Sequence, residues 1–161
     1  MIAGGQFVHY LFDPIRRILG WGAFAGLLFA LVRFLKPPEP IRYTRLLALE
    51  VHAEAAPILG SIIAVALAVT VGSRADGESF LTLVSAAAFL PPDASFPVIA
   101  LLRSLNIFTL WYVAIIATGI RVLCGLTFRT SAFIAGGAWV LSTLVNLGIL
   151  ALLIHTLHLQ V

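Results

Sequence analysis

Charge is what this chain has least of. Of its 161 residues only 11% are charged, against about 25% in an ordinary soluble domain. Hydrophobic residues make up 61%, where about 45–50% is usual. At a mean hydropathy of +1.07 there is too little polar surface to cover a globule in water. That excludes a soluble enzyme, a disordered chain and a nucleic-acid-binding domain. Lysine is nearly missing: the ten basic residues are nine arginines and Lys36. They sit at the ends of apolar runs and form no basic stripe, so the net charge of +3 reads as membrane-flank and topology charge, with no nucleic-acid partner. The single cysteine, Cys124, lies inside an apolar run and excludes an internal disulfide. Also missing are H-E-x-x-H, G-x-S-x-G, a P-loop, C-x-x-C, C-x-x-C-H and a dinucleotide fingerprint. The expectation is a protein that is not an enzyme.

What remains is apolar runs of membrane length. A spanning helix needs about 20 mostly apolar residues to cross about 30 Å of hydrocarbon. Four runs qualify, at roughly 18–35, 50–71, 105–126 and 132–157. The first ends at Arg33, Lys36 and Pro37-Pro38-Glu39-Pro40. The second enters through Glu50, His52 and Glu54 and stops at Gly72-Ser73-Arg74-Ala75-Asp76-Gly77. Arg129, Thr130 and Ser131 separate the last two. Between the second and third runs, Phe80 to Leu90 is apolar for eleven residues, and Pro91-Pro92-Asp93 interrupts before Phe96 to Leu102 resumes. Such a segment reaches about half a bilayer, and Pro-Pro-Asp at mid-membrane would strand backbone groups in lipid. Residues 78–103 therefore read as an interfacial or re-entrant helical hairpin, with a fifth span as the alternative.

Residues 1–17 carry Phe7, Tyr10, Leu11 and Phe12 beside Asp13, Arg16 and Arg17, which predicts a short interfacial helix rather than a signal peptide. The fold class expected is all-α: a polytopic membrane helical bundle forming one domain over 1–161. Arg33, Lys36, Arg42, Arg45, Arg121 and Arg129 gather on one side, and Arg16, Arg17, Arg74 and Arg103 on the other, so positive-inside places both termini outside. Abundant Ala, and Arg in place of Lys, point to a GC-rich bacterium and hence to a bacterial inner membrane.

Several motifs taken in order carry a family resemblance. Leu46-Leu47-Ala48-Leu49-Glu50-Val51-His52-Ala53-Glu54-Ala55-Ala56-Pro57 is a helix entry ending in proline. Phe89-Leu90-Pro91-Pro92-Asp93 precedes a short amphipathic stretch. Leu105-Asn106-Ile107-Phe108-Thr109-Leu110-Trp111-Tyr112 is followed by Gly119 and then by Ala138-Trp139. Over roughly residues 43–150 the chain resembles the bacterial branch of the YIP1 family of small multi-span membrane proteins. The resemblance implies an α-helical membrane domain of about five hydrophobic segments without a catalytic motif. Eukaryotic members act in vesicle trafficking through small GTPases and partner membrane proteins. Their long cytosolic N-terminal region has no counterpart here, where about seventeen residues precede the first span.

Polar residues inside apolar runs are the functional candidates, because ionisable groups there are costly. Glu50 and Glu54 are four apart and share a helix face, able to take a proton or a metal, or simply to meet headgroups beside Arg42 and Arg45. No E-x-x-H or H-x-x-x-H completes a metal site with them. His155 and His158 share a face of the last span and, with His52, are the candidate axial ligands for haem or a chlorophyll-type pigment. Asn106 and Asn146, with Ser142 and Thr143, suit interhelical hydrogen bonds. Trp21, Trp111, Tyr112 and Trp139 read as interface anchors or packing residues. Gly22-x-x-x-Gly26 and Ala132-x-x-x-Gly136 permit close helix approach.

The leading expectation is an accessory subunit that packs in the lipid against other integral membrane proteins or itself. A pigment-, haem- or lipid-binding subunit of an electron-transfer or photosynthetic complex is the first alternative. A small proton-coupled transporter using Glu50 and Glu54 is the second.

Overall fold

A computed structural model gives the architecture; it describes residues 4–38, 40–71, 80–91 and 94–158, with the side chains of 4–14, 16, 68, 71, 96, 97, 150, 151 and 153–158 outside that description. The described chain is all-α: six helices and one short 3-10 turn have described bounds, and residues 80–83 are helical as well. α1 runs Gly4–Phe34, α2 Tyr43–Ala53, α3 Ala55–Val71, α4 Phe96–Ser104, α5 Ile107–Cys124 and α6 Phe128–His158, with the 3-10 turn at Ala86–Phe89. Four stretches are long and apolar enough to cross a membrane: Arg17–Phe34, Tyr43–Leu67, Ile107–Cys124 and Phe128–Ile149. The protein is a polytopic integral membrane protein. α1 packs on α2 and α6, and α5 packs on α2, α3 and α6, so the four spans close into a ring.

The element boundaries have local causes. Residues 4–17 are not a separate helix: the backbone continues unbroken into the first span, through Pro14, which removes one ladder hydrogen bond without ending the helix. The second span begins at Tyr43, well before the polar entry at Glu50. There the Tyr43 hydroxyl donates to the Gly22 carbonyl at 3.0 Å and ties the start of α2 to α1. α2 and α3 are one span with a discontinuity at Glu54. Pro57 has no N–H for the Ala53 carbonyl, while Glu54 N still bonds Glu50 O and Ile58 N bonds Glu54 O. α5 ends at Gly125, whose φ of +63° is the left-handed conformation that glycine adopts without strain. Thr127 then caps α6, its hydroxyl accepting from Thr130 N at 3.2 Å. Arg129, Thr130 and Ser131, which look like a loop in sequence, are thus the first turn of a helix.

The segment expected as a hairpin over 78–103 is described at 80–91 and from 94 onward, and within it the 3-10 turn packs on α4. α4 has nine residues, about 13 Å of helix and too short to span. Its ends are pinned together where Ala86 N bonds Leu105 O at 2.9 Å and Ile107 N bonds Val84 O at 3.2 Å. The turns at 72–77 and at Pro92-Asp93 lie outside the described residues.

The core is a dry layer of Leu28, Val32, Leu46, Ile116, Ile120 and Ala138, all fully buried. Ile62, Val65, Val69, Phe133 and Leu144 point outward, as in a bundle solvated by lipid. Helix association in lipid rests on packing and polar contacts rather than on exclusion of water, so close approach carries much of the stability. The tightest approaches fall at Gly60 and Gly119. A Cβ at Gly60 would come within 2.6 Å of the Phe108 ring, and one at Gly119 would overlap the Leu49 side chain. Gly22 faces the Tyr43 hydroxyl, Ala132 packs partly buried on the core, and Gly26 and Gly136 meet open space. Gly60→Ala is therefore expected to destabilise the bundle by about 1–3 kcal/mol through overpacking. Gly26→Ala is expected to be neutral or stabilising by up to about 1 kcal/mol. Thermal unfolding of the two variants in the same detergent checks the contrast.

Candidate functional site: a polar cavity between the four spans

Because α2 starts at Tyr43, Glu50 lies two turns inside the helix rather than at its mouth. Leu46, Glu50 and Ala53 repeat on the face that packs inward, and Glu50 is only 2% exposed. Across from it, Tyr112, Ile116 and Ile120 form the buried stripe of α5 at helical spacing. The Tyr112 hydroxyl donates to Glu50 Oε2 at 2.6 Å, a short bond between two buried groups on different spans. No cation pairs with Glu50 among the described residues. Glu54, one turn further along, is half-buried; the Trp21 indole N–H donates to it, and the Arg17 guanidinium supplies a neighbouring positive charge. The two carboxylates therefore differ: one is offset by an arginine, and the other is held only by a neutral phenol.

These groups open onto a cavity of about 280 Å³ to which every span contributes. α1 gives Gly20 and Phe24, and the second span gives Glu50, Glu54 and Pro57. α5 gives Thr109 and Tyr112, with the Phe24 and Tyr112 ring centroids 5.9 Å apart. α6 gives Trp139, Ser142, Thr143 and Asn146, whose i, i+3, i+4, i+7 spacing forms one polar stripe along a helix face. Thr109 is in the first turn of α5, and Asn146 lies in the second half of α6. The cavity therefore sits toward the bundle end that carries the 80–104 hairpin. The dry layer around Leu28, Leu46, Ile116 and Ile120 closes the other end.

The remaining candidates fall elsewhere. His52 is exposed on the opposite face of α2, with Nδ1 2.7 Å from the Ala48 carbonyl. His155 and His158 belong to the backbone of α6, but their side chains lie outside the described residues. Asn106 caps α5, its Oδ1 accepting from Thr109 N at 3.0 Å, and its Nδ2 donates to the Arg103 carbonyl in the last turn of α4. Asn146 donates within its own helix to Ser142 O and lines the cavity. No group of three or more His, Cys, Asp or Glu side chains gathers among the described residues. Tyr112, Phe24 and Trp21 have roles that the sequence reading missed. Their signal was the recurrence of Thr109 and Tyr112 opposite Glu50, which only the pairing of α2 with α5 brings out.

No protein family, no curated protein and no solved structure matches the chain.

Removing the Tyr112 hydroxyl leaves a buried carboxyl without its partner, which generally costs about 1–3 kcal/mol. Tyr112→Phe is expected to lower the unfolding temperature in detergent. His52→Ala, on the outer face, is expected to leave it nearly unchanged.

Proposed function

We propose that the chain is a small proton-linked carrier of the bacterial inner membrane, in which Glu50 is the group that binds and releases the proton. The observation behind this reading is the buried Glu50–Tyr112 pair at the base of a cavity built by all four spans. Ionisable groups held inside a bundle and facing a cavity mark proton and ion pathways. Tyr112 donates a hydrogen bond that stabilises the ionised carboxylate and orients it toward the cavity. Ser142, Thr143 and Asn146 supply polar contacts for a solute that enters from the hairpin end. The discontinuity at Glu54 and Pro57 lies directly beside the site, where a broken helix lets α2 and α3 reorient separately. Passage to the other side requires opening the dry layer at Leu46, Ile116 and Ile120.

A second reading, an accessory subunit of the YIP1-like kind, draws on Gly26 and Gly136, which are small-residue positions that no neighbour within the chain fills. It predicts stoichiometric co-purification with a partner that is lost in Gly26→Leu and Gly136→Leu.

Reconstitution into liposomes with an internal pH dye tests the carrier. Under an imposed pH gradient, wild-type protein is expected to give proton flux above protein-free liposomes. Glu50→Gln, which keeps the shape and the Tyr112 hydrogen bond, is expected to reduce it at least tenfold. Flux equal to that of empty liposomes, or unchanged in Glu50→Gln, contradicts the proposal.

A further inference from the structure

We infer that the solute recognised in this cavity is a small organic monocation of the alkylammonium class, which exchanges with the proton on Glu50. The inference rests on the carrier reading above and adds the substrate's chemistry.

Charge sets the sign. Among the described residues, the cavity walls carry two carboxylates and no cationic side chain. Arg17 on α1 lies beside Glu54, whose hydrogen bond comes from Trp21. Glu50 has only the Tyr112 hydroxyl and no neighbouring positive charge among the described residues, so one positive charge completes the site. Ser142, Thr143 and Asn146 add hydroxyl and amide oxygens, which accept from a cation's N–H groups or face its polarised methyls.

The walls set the chemical class. Phe24, Tyr112 and Trp139 come from three different spans and line the same cavity as the Glu50 carboxyl. Ring faces attract a desolvated ammonium or quaternary ammonium within about 6 Å of their centroids. A hard metal ion takes six or more oxygen ligands in place of its water; here Glu54 is already engaged by Trp21 and Arg17, and Glu50 Oε2 by Tyr112, and no group of three His, Cys, Asp or Glu side chains gathers among the described residues. An alkylammonium requires much less: one carboxylate, several π faces and apolar room. A cavity of about 280 Å³ accommodates a molecule of a few heavy atoms rather than a drug-sized one. The exchange balances in charge and protons. The neutral carboxyl of Glu50 loses its proton to water as the monocation enters, and the carboxylate becomes the counter-ion. Tyr112 holds the carboxylate oxygen throughout. Glu54 and Arg17 at the rim keep their mutual compensation.

The test uses the purified full chain in detergent, with choline chloride and its neutral isostere 3,3-dimethylbutan-1-ol as probes. Tryptophan fluorescence and proton release to a weakly buffered dye are read together. The expected result is saturable quenching by choline with proton release, and none by the neutral alcohol. Competition with the proton is expected to weaken apparent choline affinity by up to about tenfold per unit fall in pH. Glu50→Gln is expected to abolish binding while unfolding at a temperature close to wild type. Phe24→Leu, which leaves the carboxyl in place, is expected to weaken binding by about fivefold to tenfold. Equal response to both probes, or choline binding intact in Glu50→Gln, overturns the inference. If choline does not bind but Glu50-dependent proton flux persists in liposomes, the substrate class is wrong and the carrier reading stands. If both are missing, both readings fall.

Discussion

A carboxyl group withdrawn from water into a membrane bundle has to be compensated from within, and that requirement explains more of this structure than any other single contact. Glu50 is buried at the interface of the second and third spans, and the compensation the chain itself provides is the Tyr112 hydroxyl at 2.6 Å. The bond sets the rotation of α2 relative to α5: turning either helix by one residue would carry the pair apart by about 100°. Tyr43, bonded to the Gly22 carbonyl, sets the start of α2 against α1. Gly119 receives Leu49 and Gly60 receives Phe108, so α2, α3 and α5 lie close enough for the pair to form.

Around this bond the bundle divides along its length. One end is dry and close-packed, with Leu28, Val32, Leu46, Ile116 and Ile120 fully buried. The other holds the cavity, with polar side chains on three spans and aromatic ones on three. Tyr112 belongs to both, since its ring packs near Phe24 and its hydroxyl meets the carboxylate. The helix discontinuity at Glu54 falls at this boundary, as does the side chain that Trp21 and Arg17 hold. This contrast between a packed layer at one end and a polar-lined cavity at the other underlies the carrier proposal.

Much of the fold was legible because hydropathy alone dictates it. Runs of membrane length between charged turns gave the four spans, and the shortness of Phe80–Leu90 together with Pro91-Pro92 set residues 78–103 apart from them. Boundaries were less legible. Arg129-Thr130-Ser131 looks like a loop until Thr127 is seen to cap it, and the polar residues of 43–54 hid two turns of helix. The site was readable only in part. Glu50 and Glu54 stand out as charges in an apolar run, and Ser142, Thr143 and Asn146 as polar residues in another. Their convergence depends on which faces of four helices meet, and a single sequence with near-uniform hydrophobicity does not encode that in its periodicity. Asn106 adds a role that its position alone does not announce: at the span's edge it caps its own helix while its amide nitrogen reaches the Arg103 carbonyl of α4.

The central claim is that the carboxyl of Glu50 exchanges a proton inside the bundle while bonded to Tyr112. Infrared difference spectroscopy of the reconstituted protein, recorded between acidic and alkaline buffer, reads that group directly. The account expects a carboxyl C=O band that appears on acidification, vanishes in Glu50→Gln and shifts in frequency in Tyr112→Phe. A difference spectrum that keeps every carboxyl band in Glu50→Gln would show that Glu50 does not exchange a proton, and the account would fail at its base.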